Sequence, residues 1–136
     1  ILSNLDYFKN CNNTLLIPYS CLSKNIRSYF NKKSILDYGI KIKKTMIVSK
    51  NHITIKNPLA LIYSVGFLIS QKINRIYLAG FDGYSKDEPN QDMSFEMINT
   101  LKKKYYKKNI SIASLTKTKL NIKKINIKKI NKWKQA

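Results

Sequence analysis

An apolar run from Ile76 to Ala79 stops at Gly80, and Asp82 follows within two residues. Few sequence features limit a fold as strongly. A short buried strand that ends in Gly and opens onto an acid belongs in an open α/β sheet, where ligands lie beyond the carboxyl ends of the strands. The flanking segments suit that setting. Leu59 to Gln71 is apolar nearly all round, which marks a buried helix. Asn57-Pro58 just ahead of it reads as the helix start, with Asn as N-cap and Pro as first helical residue.

The segments beyond the strand extend the pattern. The loop from Phe81 to Gln91 holds Asp82, Gly83, Asp87, Glu88 and Pro89. A helix is predicted from Asp92, with Ile98, Leu101 and Tyr105 as its buried stripe. Asp92 and Glu96 lie at its start and Lys102, Lys103, Lys104, Lys107 and Lys108 near its end, which matches the helix dipole. Ile110 to Leu115 is a second strand, so the spacing predicts a βαβ unit with a right-handed crossover.

Upstream, the end of a helix is expected within residues 1–13, and Thr14 to Pro18 reads as a strand. A helix capped by Ser20 or Ser23 is predicted to run to about Phe30. Ile35 to Ile42 is strand-like around Gly39. Thr45 to Ser49 and His52 to Ile55 form a hairpin about Lys50-Asn51. His52, the only histidine, is expected as a surface or turn residue, not a catalytic base. The predicted fold class is α/β and Rossmann-like: a mostly parallel sheet with helices on both faces over 1–118. A Lys-rich, low-complexity tail follows over 119–136. Ile1 is not an initiator Met, and the chain is expected to be a C-terminal fragment of a larger protein.

Composition narrows the function classes. The net charge is +19, yet Lys, Asn and Ile make 59 of the 136 residues, and all three are written by AT-rich codons. Only Arg27 and Arg75 are arginines, and nucleic-acid readers lean on the guanidinium fork that Lys lacks. A nucleic-acid or anionic-membrane partner is therefore the weaker expectation, and a solvated basic surface the stronger. Cys11 and Cys21 are ten apart, a spacing that fits neither a redox pair nor a zinc site. They read as reduced, partly buried thiols of a cytoplasmic protein, and no structural metal is expected. The apolar run from Leu59 to Ile69 falls short of the ~20 residues of a bilayer span.

Five of the seven acids lie between Asp82 and Glu96. In so basic a chain this clustering is the strongest chemical signal. Asp82 is placed to accept hydrogen bonds from ribose or sugar hydroxyls, or to hold a divalent cation such as Mg2+ beside the phosphates of a nucleotide. Gly80 and Gly83 would let backbone approach a ligand closely. Tyr84, Asp87, Glu96, Thr116, Thr118 and Asn57 complete the candidate binding set, and no catalytic residue is assigned. The blander alternative is that Asp82-Gly83 is a turn pair and that the acids near Asp92 neutralise a helix N-terminus. No dinucleotide fingerprint, phosphate loop or nucleophile elbow is present.

Asn57-Pro58-Leu59-Ala60, Ile76 to Tyr84, Asp87-Glu88-Pro89, and Ser114-Leu115-Thr116 with Thr118 together resemble a Rossmann-like C-terminal module of bacterial surface-polysaccharide enzymes. The chain is similar to the extension that follows an aldolase barrel of the 4-hydroxy-2-oxovalerate aldolase and HMG-CoA-lyase type. It is similar as well to modules accompanying acylneuraminate cytidylyltransferase-like proteins. Leu16 to Ser20 and Leu36 to Ile40 fit too, so the likeness covers roughly residues 1–122. More distantly, the core resembles sialyltransferase-like and hydroxymethylpterin-pyrophosphokinase-like groups. The family pattern has a proline between the two threonines where this chain has Lys117, which leaves a shared role for Thr116 and Thr118 open. The resemblance implies an accessory domain that binds a nucleotide, a sugar or a keto-acid product. Its catalytic barrel, with the metal and lyase chemistry, would lie upstream. Two other classes stay open: a basic module for nucleic acid or anionic lipid, and a dimerisation or docking unit.

Overall fold

The computed structural model describes residues 8, 13–84, 88–105, 110–126 and 130. The chain divides into two compact units, Ile1–Lys56 and Asn57–Ala136. It is mixed α/β, and four of the five strand pairings among the described residues are parallel.

In the first unit, β1 (Leu15–Ile17) pairs in parallel with β2 (Ile35–Asp37). The crossover between them runs through a 3-10 turn at Tyr19–Cys21, the short helix α1 (Lys24–Arg27) and a second 3-10 turn at Lys32–Ser34. Polar side chains set these turns. Ser23 Oγ caps α1 by accepting from Ile26 N, and Asn31 Oδ1 accepts from Lys33 N. Such caps satisfy amide donors that a short helix leaves without a partner. The helix stops at Arg27, short of the predicted Phe30. Asp37 ends β2 by accepting from both the backbone N–H and the hydroxyl of Ser20, which holds the first 3-10 turn against the strand.

The run 35–42 is extended, as its sequence predicts, but it changes partners at Tyr38. That residue is 1 % exposed; its N–H donates to Ile17 O and its hydroxyl to Ser49 O. Beyond it β3 (Gly39–Ile42) runs parallel to β5 (His52–Ile55), which also takes the antiparallel β4 (Ile47–Val48). The expected hairpin about Lys50-Asn51 is present. A Cβ at Gly39 would lie 3.1 Å from His52 Cβ, so a side chain here would press on the start of β5. His52 is half-buried there, as the first residue of β5. Cys21 is a free, exposed thiol rather than a partly buried one, with Sγ 3.7 Å from Ile40 O.

The second unit holds α2 (Ala60–Ser70), β6 (Arg75–Leu78), α3 (Pro89–Tyr105), β7 (Ser111–Ser114) and β8 (Lys123–Lys124), with β6, β7 and β8 joined in one parallel sheet. The βαβ spacing expected for β6, α3 and β7 is realised. Ile76, Leu78, Ile112 and Ser114 share one sheet face and are all buried. Helix α2 buries Ile62, Tyr63, Val65, Gly66 and Ile69 and packs against α3. It ends with Lys72 N donating to Ile69 O and Ile73 N to Leu68 O. This is the paired closure in which the residue after the C-cap turns left-handed, and Lys72 has φ 62°.

Two helix starts differ from expectation. Asn57 is not a cap: Leu59 is the N-cap of α2, with no side-chain cap bond. Leu59 N turns back to Asn57 O, while Asn57 Nδ2 contacts Met93 Sδ at 2.7 Å. The side chain that would cap α2 is committed to α3 instead. Helix α3 begins at Pro89, three residues before Asp92, using proline as a first-turn residue. Strand β8 lies beyond the predicted boundary at 118, inside the Lys-rich segment. The expected helix end in 1–13 lies outside the described residues apart from Phe8 and Asn13, as does most of 127–136. No helix among the described residues is long and apolar enough to cross a membrane.

Candidate functional site

Each parallel strand of the second unit delivers its following loop to the same end of the sheet. The loop after β6 starts at Gly80, and the loop after β7 carries Thr116 to Leu120. Two hydrogen bonds clasp them: Gly80 N donates to Thr116 Oγ1 at 3.0 Å, and Lys119 N donates to Asp82 O at 2.7 Å. The strand ends are also tied, one bond between the strands and one within the turn after β7. Leu115 N donates to Leu78 O, and the fully buried Ser114 hydroxyl donates to Thr116 O at 2.8 Å. The carboxyl end of the sheet is thus a braced platform.

The glycines differ in function here. Gly80 (φ 74°) has open space where a Cβ would sit. Gly83 (φ 87°) is enclosed: a Cβ there would lie 3.1 Å from Lys119 Cβ and 3.2 Å from Gln91 Oε1. Its backbone therefore lies where both loops meet the first turn of α3.

Of the predicted residues, Gly80, Asp82, Gly83, Tyr84, Thr116 and Thr118 are brought together by these loops. Asp82 is exposed, and its backbone carbonyl is the group that holds Lys119. Tyr84 is 36 % exposed, and its N–H donates to Gln91 Oε1 at 2.9 Å. Thr116 Oγ1 acts as an acceptor toward Gly80, and Thr118 Oγ1 accepts from Leu120 N at 3.1 Å. Both oxygens brace the loop, and each keeps an O–H to donate. Lys117, exposed between them, therefore leaves both threonines in structural use. Glu96 is exposed, one turn along α3 from Asp92. Asn57 is engaged with Met93 as described above. Asp87 lies outside the described residues.

Beside the clasp is a concavity of about 640 Å³ lined by Gln91, Asp92, Phe95 and Lys119. Asp82 does not line it but adjoins it through the Lys119 bond. None of these four was singled out as a ligand residue from sequence. Gln91 could have been found by extending the helical stripe of Ile98 and Leu101 backward at three- and four-residue steps, which reaches Ser94 and Gln91. Both are buried polar residues. A larger concavity of about 970 Å³ lies along the sheet face formed by Tyr77, Ser111 and Ala113, bordered by Lys123 and Lys124. It is a trough over the strands that reaches the ends of β7 and β8 at Leu115, Ile125 and Asn126, and no acid is among the described residues that line it.

Among the described residues, no three His, Cys, Asp or Glu side chains group to hold a metal. No chemistry is assigned through a metal. No protein-family model matches the chain, and no curated protein or solved structure matches it significantly.

Proposed function

We propose that this chain is an accessory ligand-binding domain of Rossmann-like organisation, serving a cytoplasmic enzyme of cell-surface polysaccharide biosynthesis. It binds a nucleotide-type, sugar-type or keto-acid ligand at the loops after β6 and β7. The observation that carries this reading is the clasp between Gly80–Asp82 and Thr116–Lys119 at the carboxyl ends of two parallel strands. It leaves the Asp82 carboxylate exposed beside a concavity at the start of α3. In parallel α/β sheets that end is where ligands are held. Asp82 accepts from ligand hydroxyls, Gly80 admits the ligand to the backbone while the enclosed Gly83 lets the loops close on α3, and the catalytic domain is a separate, upstream part of the same enzyme. The sequence resemblance to the extension of 4-hydroxy-2-oxovalerate aldolase-type proteins supports the pathway assignment.

Two-dimensional amide spectra of the isotope-labelled chain test the location. On titration with a nucleoside monophosphate, a sugar phosphate and a 2-oxo acid, at least one is expected to shift the amides of Gly80, Asp82, Gly83, Thr116 and Lys119. A ligand that shifts only Tyr77, Ala113 and Lys123 would move the site to the sheet face and sink the assignment.

A further inference from the structure

Gln91 is 8 % exposed and sits in the first turn of α3. Its amide orientation is set by chemistry. The Tyr84 N–H can only donate, so the atom it meets at 2.9 Å must be the carboxamide oxygen. That leaves the Nε2 group with two donors, and nothing among the described residues accepts from it. No fully enclosed side-chain nitrogen or oxygen among the described residues lacks a partner. Nε2 therefore reaches open space, and Gln91 is one of the residues that line the 640 Å³ concavity. Held at its oxygen, the amide presents its two donors in a fixed direction, where a ligand acceptor can take the place of water.

The other lining groups say what that something is. Asp92 offers a carboxylate that accepts from hydroxyls. Phe95 is half-buried and offers a ring on which the C–H face of a sugar can rest. Lys119 is exposed at the border and offers a cation. Among the described residues, an oriented donor, a carboxylate acceptor, an aromatic floor and one cation together match a hydroxylated ring with an anionic substituent. A bare phosphate would need neither Phe95 nor Asp92, and a neutral sugar would leave Lys119 unused. We infer that Gln91 is a specificity-determining donor for a sugar ring bearing a phosphate or a carboxylate, seated on Phe95 with its anionic group toward Lys119. This deepens the function proposed above and rests on it.

The test uses the full chain with glucose 1-phosphate, glucuronic acid and glucose as probes. One of the two anionic sugars is expected to bind, glucose at least about tenfold more weakly, and the Gln91 side-chain NH2 resonances to shift on binding. Whichever anionic probe wins identifies the substituent as phosphate or carboxylate. Gln91→Glu keeps an oxygen for Tyr84 N–H and removes both donors, so affinity for that probe is expected to fall by at least about tenfold. The NH2 resonances of the unsubstituted chain give a readout that neither misfolding nor the added charge of the variant affects. Binding that shifts Gly80 and Gly83 but leaves the Gln91 NH2 pair unmoved would overturn this inference while leaving the loop site in place. Equal affinity for glucose, unchanged affinity in Gln91→Glu, or failure of all three probes at millimolar concentration would overturn it as well.

Discussion

Replacing Leu101 with Ala is expected to lower the unfolding free energy by about 2–5 kcal/mol, the range for deleting a buried Leu and leaving a partly collapsed cavity. Leu101 is 1 % exposed and lies on the stripe of α3 that also buries Met97, Ile98 and Tyr105. That stripe positions the first turn of α3, and with it Gln91 and Asp92. Lys103 lies on the same helix but is exposed, and Lys103→Ala should stay within about 0.5 kcal/mol. Urea unfolding of the two variants beside the parent chain measures the contrast. A Leu101 variant as stable as the Lys103 variant would mean that α3 is not seated as described.

Gly83→Ala is expected to cost about 2–4 kcal/mol, from two sources that add. A left-handed backbone conformation costs an L-residue roughly 1–2 kcal/mol, and Gly83 has φ 87°. The new methyl would also sit 3.1 Å from Lys119 Cβ and 3.2 Å from Gln91 Oε1. Neither neighbour yields easily, since Lys119 is tied through its N–H to Asp82 O and Gln91 Oε1 is held by Tyr84 N. Gly80→Ala separates the two causes: φ is 74° with nothing within 4 Å of the added atom, so only the conformational part, about 1–2 kcal/mol, should appear. Equal unfolding midpoints for the two variants would contradict the enclosure of Gly83.

Two of the three strands of the second unit, β6 and β7, were legible because they are contiguous apolar runs with sharp ends, whereas β8 is a pair of lysines in a segment read as a low-complexity tail. Ile76 to Ala79 and Ile110 to Leu115 each predict a strand within one residue or so of β6 and β7. The partner change at Tyr38 was not legible, because an extended run of residues looks the same whether it pairs with one neighbour or two. The helix starts were misplaced for chemical reasons. Asn57-Pro58 has the composition of a cap, but the Asn57 amide finds Met93 across 36 positions of sequence, a contact that no local pattern encodes. Pro89 looked like loop because acids and Asn surround it, although proline suits a first helical turn.

Of the site, the glycines and Asp82 announced themselves through the break after an apolar run. Gln91, Phe95 and Lys119 did not. A buried Gln breaks the apolar periodicity that marks a helix face, so a count of hydrophobic positions passes over it. Lys119 is one of many lysines in a basic segment and gains meaning only from the N–H it gives to Asp82 O.

The most direct measurement is calorimetric: the affinity of the full chain for its best-binding nucleotide, sugar phosphate or 2-oxo acid, before and after Asp82→Ala. Asp82 is exposed and only its main chain joins the clasp, so the variant is expected to unfold at the parent's urea midpoint and to bind at least about tenfold more weakly. The same affinity in the folded variant would contradict the placement of the ligand at the loop after β6.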